Sequence, residues 1–313
     1  MTTLDEGTDR HAAGSGDRAQ AQASGSRGGR GRTSRRPIGE GDVMAERIDI
    51  RLLGGVSVAV DGRPVRLAGR HAPALMALLA LRPQPRSREA VAADLWPESG
   101  SPSGLRQSLW LVRSAFHAAG IDPDTVIEAD AEVIGLRTRS APNVDAERFE
   151  RLARGRSADP PAAVDLYAGD LAQGLDHECF AADRERLADL YEDALATVAQ
   201  RRLAEGDLHA AREAAEELLA RDALREEAHA VLIEVFGRSG TRSQVIRQWR
   251  RLTRVLRREL DVDPLPETEI TFRHALATTL ARSHRAVEAR MISIGNRGAV
   301  RPAPGRLTLA PTG

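Results

Sequence analysis

Two short turns, Gly206-Asp207 and Gly240-Thr241, recur 34 residues apart in a stretch that otherwise reads as helix. That spacing constrains the chain more than any other feature. A glycine can adopt the left-handed conformation that ends a helix, and the next residue can cap the following one. Repeated at 34 residues, the pair closes helical hairpins at the tetratricopeptide period, and a lone hairpin of this kind cannot bury its own apolar face. Ala211 and Val245 occupy equivalent packing positions, as do Leu218 and Leu252. Apolar periodicity predicts helices over 145–154, 161–167, 180–205, 208–221, 225–238, 242–259 and 267–283. Two clear units with long flanking helices predict a compact α-domain. Its surface offers either a peptide-binding groove or a face for dimerisation or for packing on what precedes it.

The preceding half has a different texture. IDIRLLGGVSVAV alternates and is rich in Ile, Leu and Val, then Asp61-Gly62 offers a hairpin turn before RPVRLAG. Helices are predicted over 70–81, stopped by Pro83 and Pro85, and over 87–96, capped by Ser87 and stopped by Pro97. A third begins at Ser101, with Pro102 in its first position. Residues 126–128 and 133–136 read as two strands about a turn near Asp130. Sheet, three helices and hairpin is the order of a winged helix-turn-helix, whose third helix enters the major groove.

That third helix, 101–120 (SPSGLRQSLWLVRSAFHAAG), carries two stripes of identical spacing. Leu105, Leu109, Val112 and Phe116 form the core stripe. One residue later come Arg106, Trp110, Arg113 and His117, with Gln107 and Ser114 beside them. Guanidinium forks match the O6/N7 edge of guanine and a carboxamide matches adenine, so these six residues are the expected base-reading set. Arg70, Arg86, Arg88, Arg137 and Arg139 are the expected phosphate contacts.

Composition limits the alternatives. All 45 basic residues are Arg, balanced by 45 acidic ones, so any affinity for nucleic acid must come from a local patch. Over residues 46–140 there are 12 Arg against 11 Asp plus Glu, a net charge of +1. The single cysteine, Cys179, fits a reducing compartment, and no apolar run reaches membrane-spanning length, so the expected location is cytoplasmic with no membrane partner. Residues 1–44, with a basic run at 27–36, are too poor in large apolar side chains to fold, and 285–313 read as a solvated tail. The domain reading is therefore a tail over 1–44, a winged helix over 45–140, an α-domain over 141–284 and a tail over 285–313.

No phosphate-cradling loop, nucleophile elbow or HExxH pair occurs, and an enzyme is not expected. His177-Glu178-Cys179 are adjacent and cannot by themselves make a tetrahedral set, so no metal or other cofactor is expected. His209, His229, His274 and His284 are expected at surfaces. Glu213–Glu217 and Glu226-Glu227 alternate with Arg at helical spacing and support helices.

RLLGGVSVAVDGRPVRLAG, LRQSLWLVRSAF, DALREEAHAVLIEVFGRSG and RRLTRVLRRELDVDPLPET together resemble the Streptomyces antibiotic regulatory protein (SARP) family over about residues 47–280. The resemblance implies an OmpR-like winged helix joined to a bacterial transcriptional activator domain of tetratricopeptide type. It implies a transcriptional activator of a biosynthetic gene cluster that binds promoter direct repeats as a dimer and recruits RNA polymerase. Arg106 and Arg113 match the recurring arginines of the family's recognition helix, and Trp110 an aromatic of some members. The chain departs from the pattern at Leu111, at Pro102 and Gly104, and in a wing that carries Glu128, Asp130 and Glu132. The acidic wing motivates a second reading, an adaptor whose winged helix has lost strong DNA binding. The fold class is in either case mainly α with a small β part.

Overall fold

The computed structural model describes residues 47–100, 102–137 and 142–297, and their side chains except those of 283 and 285–297. The expectations for 1–44, for the Ser101 cap and for Arg139 lie outside these residues.

Strands β1 (Ile48–Arg51), β2 (Ser57–Val60) and β3 (Arg63–Val65) form an antiparallel meander. Ile48 and Ile50 alternate inward and Asp49 and Arg51 outward, the period-2 pattern of a sheet with one wet face. Asp61 and Gly62 both take positive φ, 49° and 78°, which is the type I′ geometry that matches strand twist. Helix α1 (His71–Leu81) is buried from Ala74 through Ala80, because an evenly apolar helix has no face for water. A two-residue strand, β4 (Arg86–Ser87), leads into α2 (Arg88–Leu95), whose Ser87 hydroxyl accepts from the Ala90 amide at 3.1 Å.

Then follow α3 (Pro102–Ala118), a one-turn α4 (Pro123–Val126), β5 (Ile127–Ala129) and β6 (Val133–Leu136). Strands β4, β6 and β5 make a second small sheet, with the β5–β6 hairpin as its wing. Strand β5 starts one residue later than the sequence reading, since Val126 ends α4. That turn of helix was legible in Asp122-Pro123: the aspartate caps it and the proline fills its first position.

Strand β7 (Asn143–Val144) runs parallel to β1 and completes a four-stranded sheet in the order β3-β2-β1-β7. The sheet of the winged helix thus borrows its edge from the segment that opens the α-domain. Helix α5 (Asp145–Arg154) follows at once, and the Asp145 carboxylate accepts from the Leu52 and Leu53 amides at 2.7 and 3.1 Å. Leu52 and Ala172 pair through a 2.7 Å backbone bond, and Gly54 donates to Asp170 at 3.1 Å. Arg82 reaches Asp183 at 2.7 Å. One apolar core runs through both halves without a break.

The α-domain continues with α6 (Pro160–Leu166), a 3-10 turn at Glu178–Phe180, α7 (Ala181–Glu205) and α8 (Leu208–Arg221). Helices α9 (Glu226–Arg238), α10 (Arg242–Glu259) and α11 (Pro266–Arg297) complete it. The 34-residue turns lie where expected, with Gly206 and Gly240 at φ 84° and 79°, and Ala211, Val245, Leu218 and Leu252 are all fully buried. Tyr167 and Tyr191 stack at 4.0 Å, and the Arg221 guanidinium covers both rings while pairing with Asp170. This cluster ties α6, α7 and α8 together. Helix α11 extends past Ser283, the boundary read from sequence, as far as Arg297.

His229 corrects the surface expectation: it is fully buried. Gln248 donates to its Nδ1 at 2.8 Å, which leaves the Nε2 hydrogen to be donated to the Ala223 carbonyl at 3.1 Å. Burial holds its pKa below the ordinary histidine value, Arg251 adding to the effect while the Ala223 carbonyl opposes it. The folded state binds the proton less readily than the unfolded one, so this contribution is complete above pH about 6.5 and is lost as pH falls below it. The melting temperature should therefore decline as pH falls from about 7 to about 5. His229→Gln should flatten that decline, and an equally steep one in the variant would trace the loss to other groups.

Gly237 is buried where α9 meets α11, and a Cβ there would lie 2.7 Å from the Ala275 Cβ. Gly237→Ala should consequently cost about 1–3 kcal/mol in urea unfolding, instead of the gain usual for this change inside a helix.

Candidate nucleic-acid interface

Helix α3 is positioned by its core stripe. Leu105, Leu109, Val112 and Phe116 are buried, and the helix packs on α1, α2, α4 and β3. Its start is shaped by the Trp96 indole: a Cβ on Gly104 would lie 3.0 Å from Trp96 Cε2, so the glycine lets α3 and the end of α2 approach closely. Gly104 is thereby explained as a packing residue. Ser108 is buried and donates to the Gly104 carbonyl at 2.8 Å, satisfied within the helix. Leu111 is half-buried against the core.

The second stripe faces outward. Trp110 is 64% exposed, an uncommon placement for so large an apolar surface. Arg106, Gln107 and His117 are exposed, and Ser114 is half-buried at the margin of the stripe. Arg113 differs from its neighbours: its Nη2 pairs with Asp124 on α4 at 2.8 Å, and its Nε is buried without a hydrogen-bond partner among the described residues. The sequence reading took Arg113 as an unengaged twin of Arg106. The signal it passed over was the capping aspartate and proline that place Asp124 across from α3.

Two of the expected phosphate arginines stand exposed, Arg70 at the start of α1 and Arg137 just beyond the wing. Two are engaged elsewhere. Arg86 pairs with Asp94 at 2.5 Å, and Arg88 donates to the Asp130 carbonyl at 3.1 Å while its amide donates to Glu132. Arg88 therefore braces the wing against α2.

The acidic wing also reads differently in three dimensions. Asp130 accepts from the amides of Glu132 and Val133, both at 2.8 Å, and so closes the turn itself. Those two amides, with Arg88, hold its carboxyl below the usual carboxylate range. The carboxylate therefore stays charged as well as exposed. Glu132 stays exposed, and Glu128 is half-buried.

The His177-Glu178-Cys179 segment opens the 3-10 turn before α7, and burial pushes the Cys179 thiol up to about 11. Among the described residues no group of three or more His, Cys, Asp or Glu has metal-binding geometry. No described helix is long and apolar enough to cross a membrane.

Residues 144–276 match the bacterial transcriptional activator domain. The sheet, three helices and hairpin over residues 47–137 precede the matched segment. The match begins at Val144, the last residue of β7, and ends in α11. The transcriptional regulatory protein EmbR of Mycobacterium tuberculosis, strain H37Rv, is 27% identical over 249 residues, and that of Mycobacterium bovis is equally similar. The alignment takes in 71% of this chain, and the chain spans about 62% of the length of these relatives. A solved structure of Mycobacterium tuberculosis EmbR in complex with a low-affinity phosphopeptide superposes with a TM-score of 0.58 at 24% identity. It covers 80% of this chain and 71% of that one, and it shares the mainly α fold with its small β part.

An exposed ion pair contributes about 0.2–1 kcal/mol, so the hold of Asp124 on Arg113 is weak. Asp124→Asn should lower unfolding stability by no more than about 1 kcal/mol in a urea titration. A larger loss would show that α4 depends on the pair.

Proposed function

We propose that this chain is a sequence-specific DNA-binding transcriptional activator, in which α3 reads bases in the major groove and the α-domain serves dimerisation and contact with RNA polymerase. The single observation that carries this reading is the outward row on α3. Arg106 and Trp110 project into solvent from a helix whose opposite face is locked into the core. Arg106 and Gln107 supply the donors and acceptor that base edges need, and Trp110 offers a flat apolar contact. Arg113 joins them by exchanging Asp124 for a base or phosphate, at the small cost of a surface ion pair. Arg70 and Arg137, both exposed, serve as phosphate contacts.

The target in this reading is a promoter with direct repeats beside a biosynthetic gene cluster, bound by two copies of the chain. The regulators of similar sequence and the domain over 144–276 support a regulatory role. The adaptor reading draws on the near-neutral charge of residues 46–140. It draws also on the wing, where the exposed Asp130 carboxylate closes its own turn and keeps its charge.

A mobility shift on the chain's own upstream region, against random duplex of equal length, tests the proposal. Arg106→Ala should weaken specific binding by about 1–3 kcal/mol and leave random duplex nearly unaffected. Equal losses on both would reduce Arg106 to a backbone contact, and no shift at low salt with folded protein would assign the chain to the adaptor class.

A further inference from the structure

Helix α10 holds seven arginines, at 242, 247, 250, 251, 254, 257 and 258, and one acidic residue, Glu259. All seven are exposed. The other helices of the α-domain treat arginine differently. Arg151 meets Glu147, Arg201 meets Glu205, Arg212 meets Glu216, and Arg273 meets Glu269, each one helical turn away. On α10 only Arg257 and Arg258 have acidic partners, Asp263 and Glu259, both at the helix end. Arg242, Arg247, Arg250, Arg251 and Arg254 have none among the described residues. In a chain with zero net charge, this is a deliberate-looking concentration of one sign.

The buried side of α10 explains why the opposite side is free to be basic. Val245, Gln248, Leu252 and Leu256 face α9 and α11, and Trp249 stacks on Phe272 at 4.5 Å. Arg247, Arg250, Arg254 and Arg258 then succeed one another at three- and four-residue steps. They make a ladder about 16 Å long. Over that length a DNA duplex carries about ten negative charges. A protein partner would be expected to meet an apolar centre with charge at the rim. Here the half-buried Trp249 is bordered by Arg250, Arg254, Arg257 and Arg258, and the exposed aliphatics Leu260, Val262 and Leu265 lie beyond the C-terminal end of the helix. A surface dominated by arginine fits phosphodiester backbone better.

We propose that the outer face of α10 is a second, sequence-independent contact for the backbone of duplex DNA. It supplies the phosphate neutralisation that the near-neutral winged helix lacks. The inference rests on the reading of the chain as a DNA-binding protein, but it involves different residues on a different element.

The test is a salt titration of duplex binding by the full chain, using both the upstream region and random duplex. Arg247, Arg250 and Arg254 are changed together to Gln in one variant and to Lys in another. Each lost phosphate contact lowers the slope of log affinity against log salt by about 0.9, so the Gln variant should lose about 2.7, equally on both duplexes. The Lys variant should keep the wild-type slope, and matching circular dichroism melts establish that both remain folded. An unchanged slope in the Gln variant, with Arg106→Ala still weakening specific binding, overturns this inference alone. A reduced slope with no response to Arg106→Ala supports it and removes the base-reading role of α3. Wild-type protein that binds no duplex at low salt overturns both. A Gln variant that keeps its DNA slope but loses RNA polymerase holoenzyme assigns the face to an acidic protein and likewise overturns the proposal.

Discussion

The end of β1 is where this molecule is held together. Backbone leaving a strand carries donors that must be satisfied once water is excluded, and here the Leu52 and Leu53 amides both point at the Asp145 carboxylate. Burial raises the Asp145 pKa while the amides of Leu52, Leu53 and Ala146 pull it down, and burial is the larger effect. The group is costly to hide, and it is hidden because it joins strand to helix. The neighbouring bonds, Ala172 to Leu52 and Gly54 to Asp170, fasten the loop after α6 to the same point. The winged helix and the α-domain consequently share a sheet edge, a core and a hydrogen-bond network.

That arrangement decides what α3 can do. Its core stripe is committed to α1, which is itself enclosed, so Arg106, Gln107 and Trp110 of the outer row are left to solvent. A helix fixed on one side presents the other side rigidly, and rigid presentation is what a base-reading row requires. Asp124 adds a weak restraint on Arg113, the second arginine of that stripe. The charge that the winged helix does not supply is found far along the chain, on α10, which holds seven arginines and one glutamate. The whole-chain charge of zero conceals this segregation.

Much of the architecture was legible before any coordinates. The helices at 145–154, 208–221 and 242–259 begin and end where periodicity places them, Asp207 capping the second while Thr241 makes no side-chain cap on the third, and Gly206 and Gly240 close their hairpins by left-handed turns. Asp61-Gly62 announced its hairpin for the same local reason, since positive φ at two successive positions is tolerated by few residue pairs. What was misread involved partners remote in sequence or hidden in short elements. His229 looked like any helical histidine, yet Gln248 and the Ala223 carbonyl bury it neutral. Gly104 departs from the family pattern and is also the seat of Trp96. Asp130 keeps the charge read for it and also accepts its own turn's amides.

The sequence by itself determined which segments are helices, which faces of them are apolar, and that one helix pairs a core stripe with an outward row of arginine and tryptophan. Those properties follow from residues three and four positions apart, and local geometry carries them. Only the tertiary structure decided that β7 completes the sheet of the winged helix, that Arg113 is tied to Asp124 while Arg106 stands exposed, and that Arg88 braces the wing. Each of these depends on which groups excluded water brings together, and neither residue of such a pair records the other in its own surroundings along the chain.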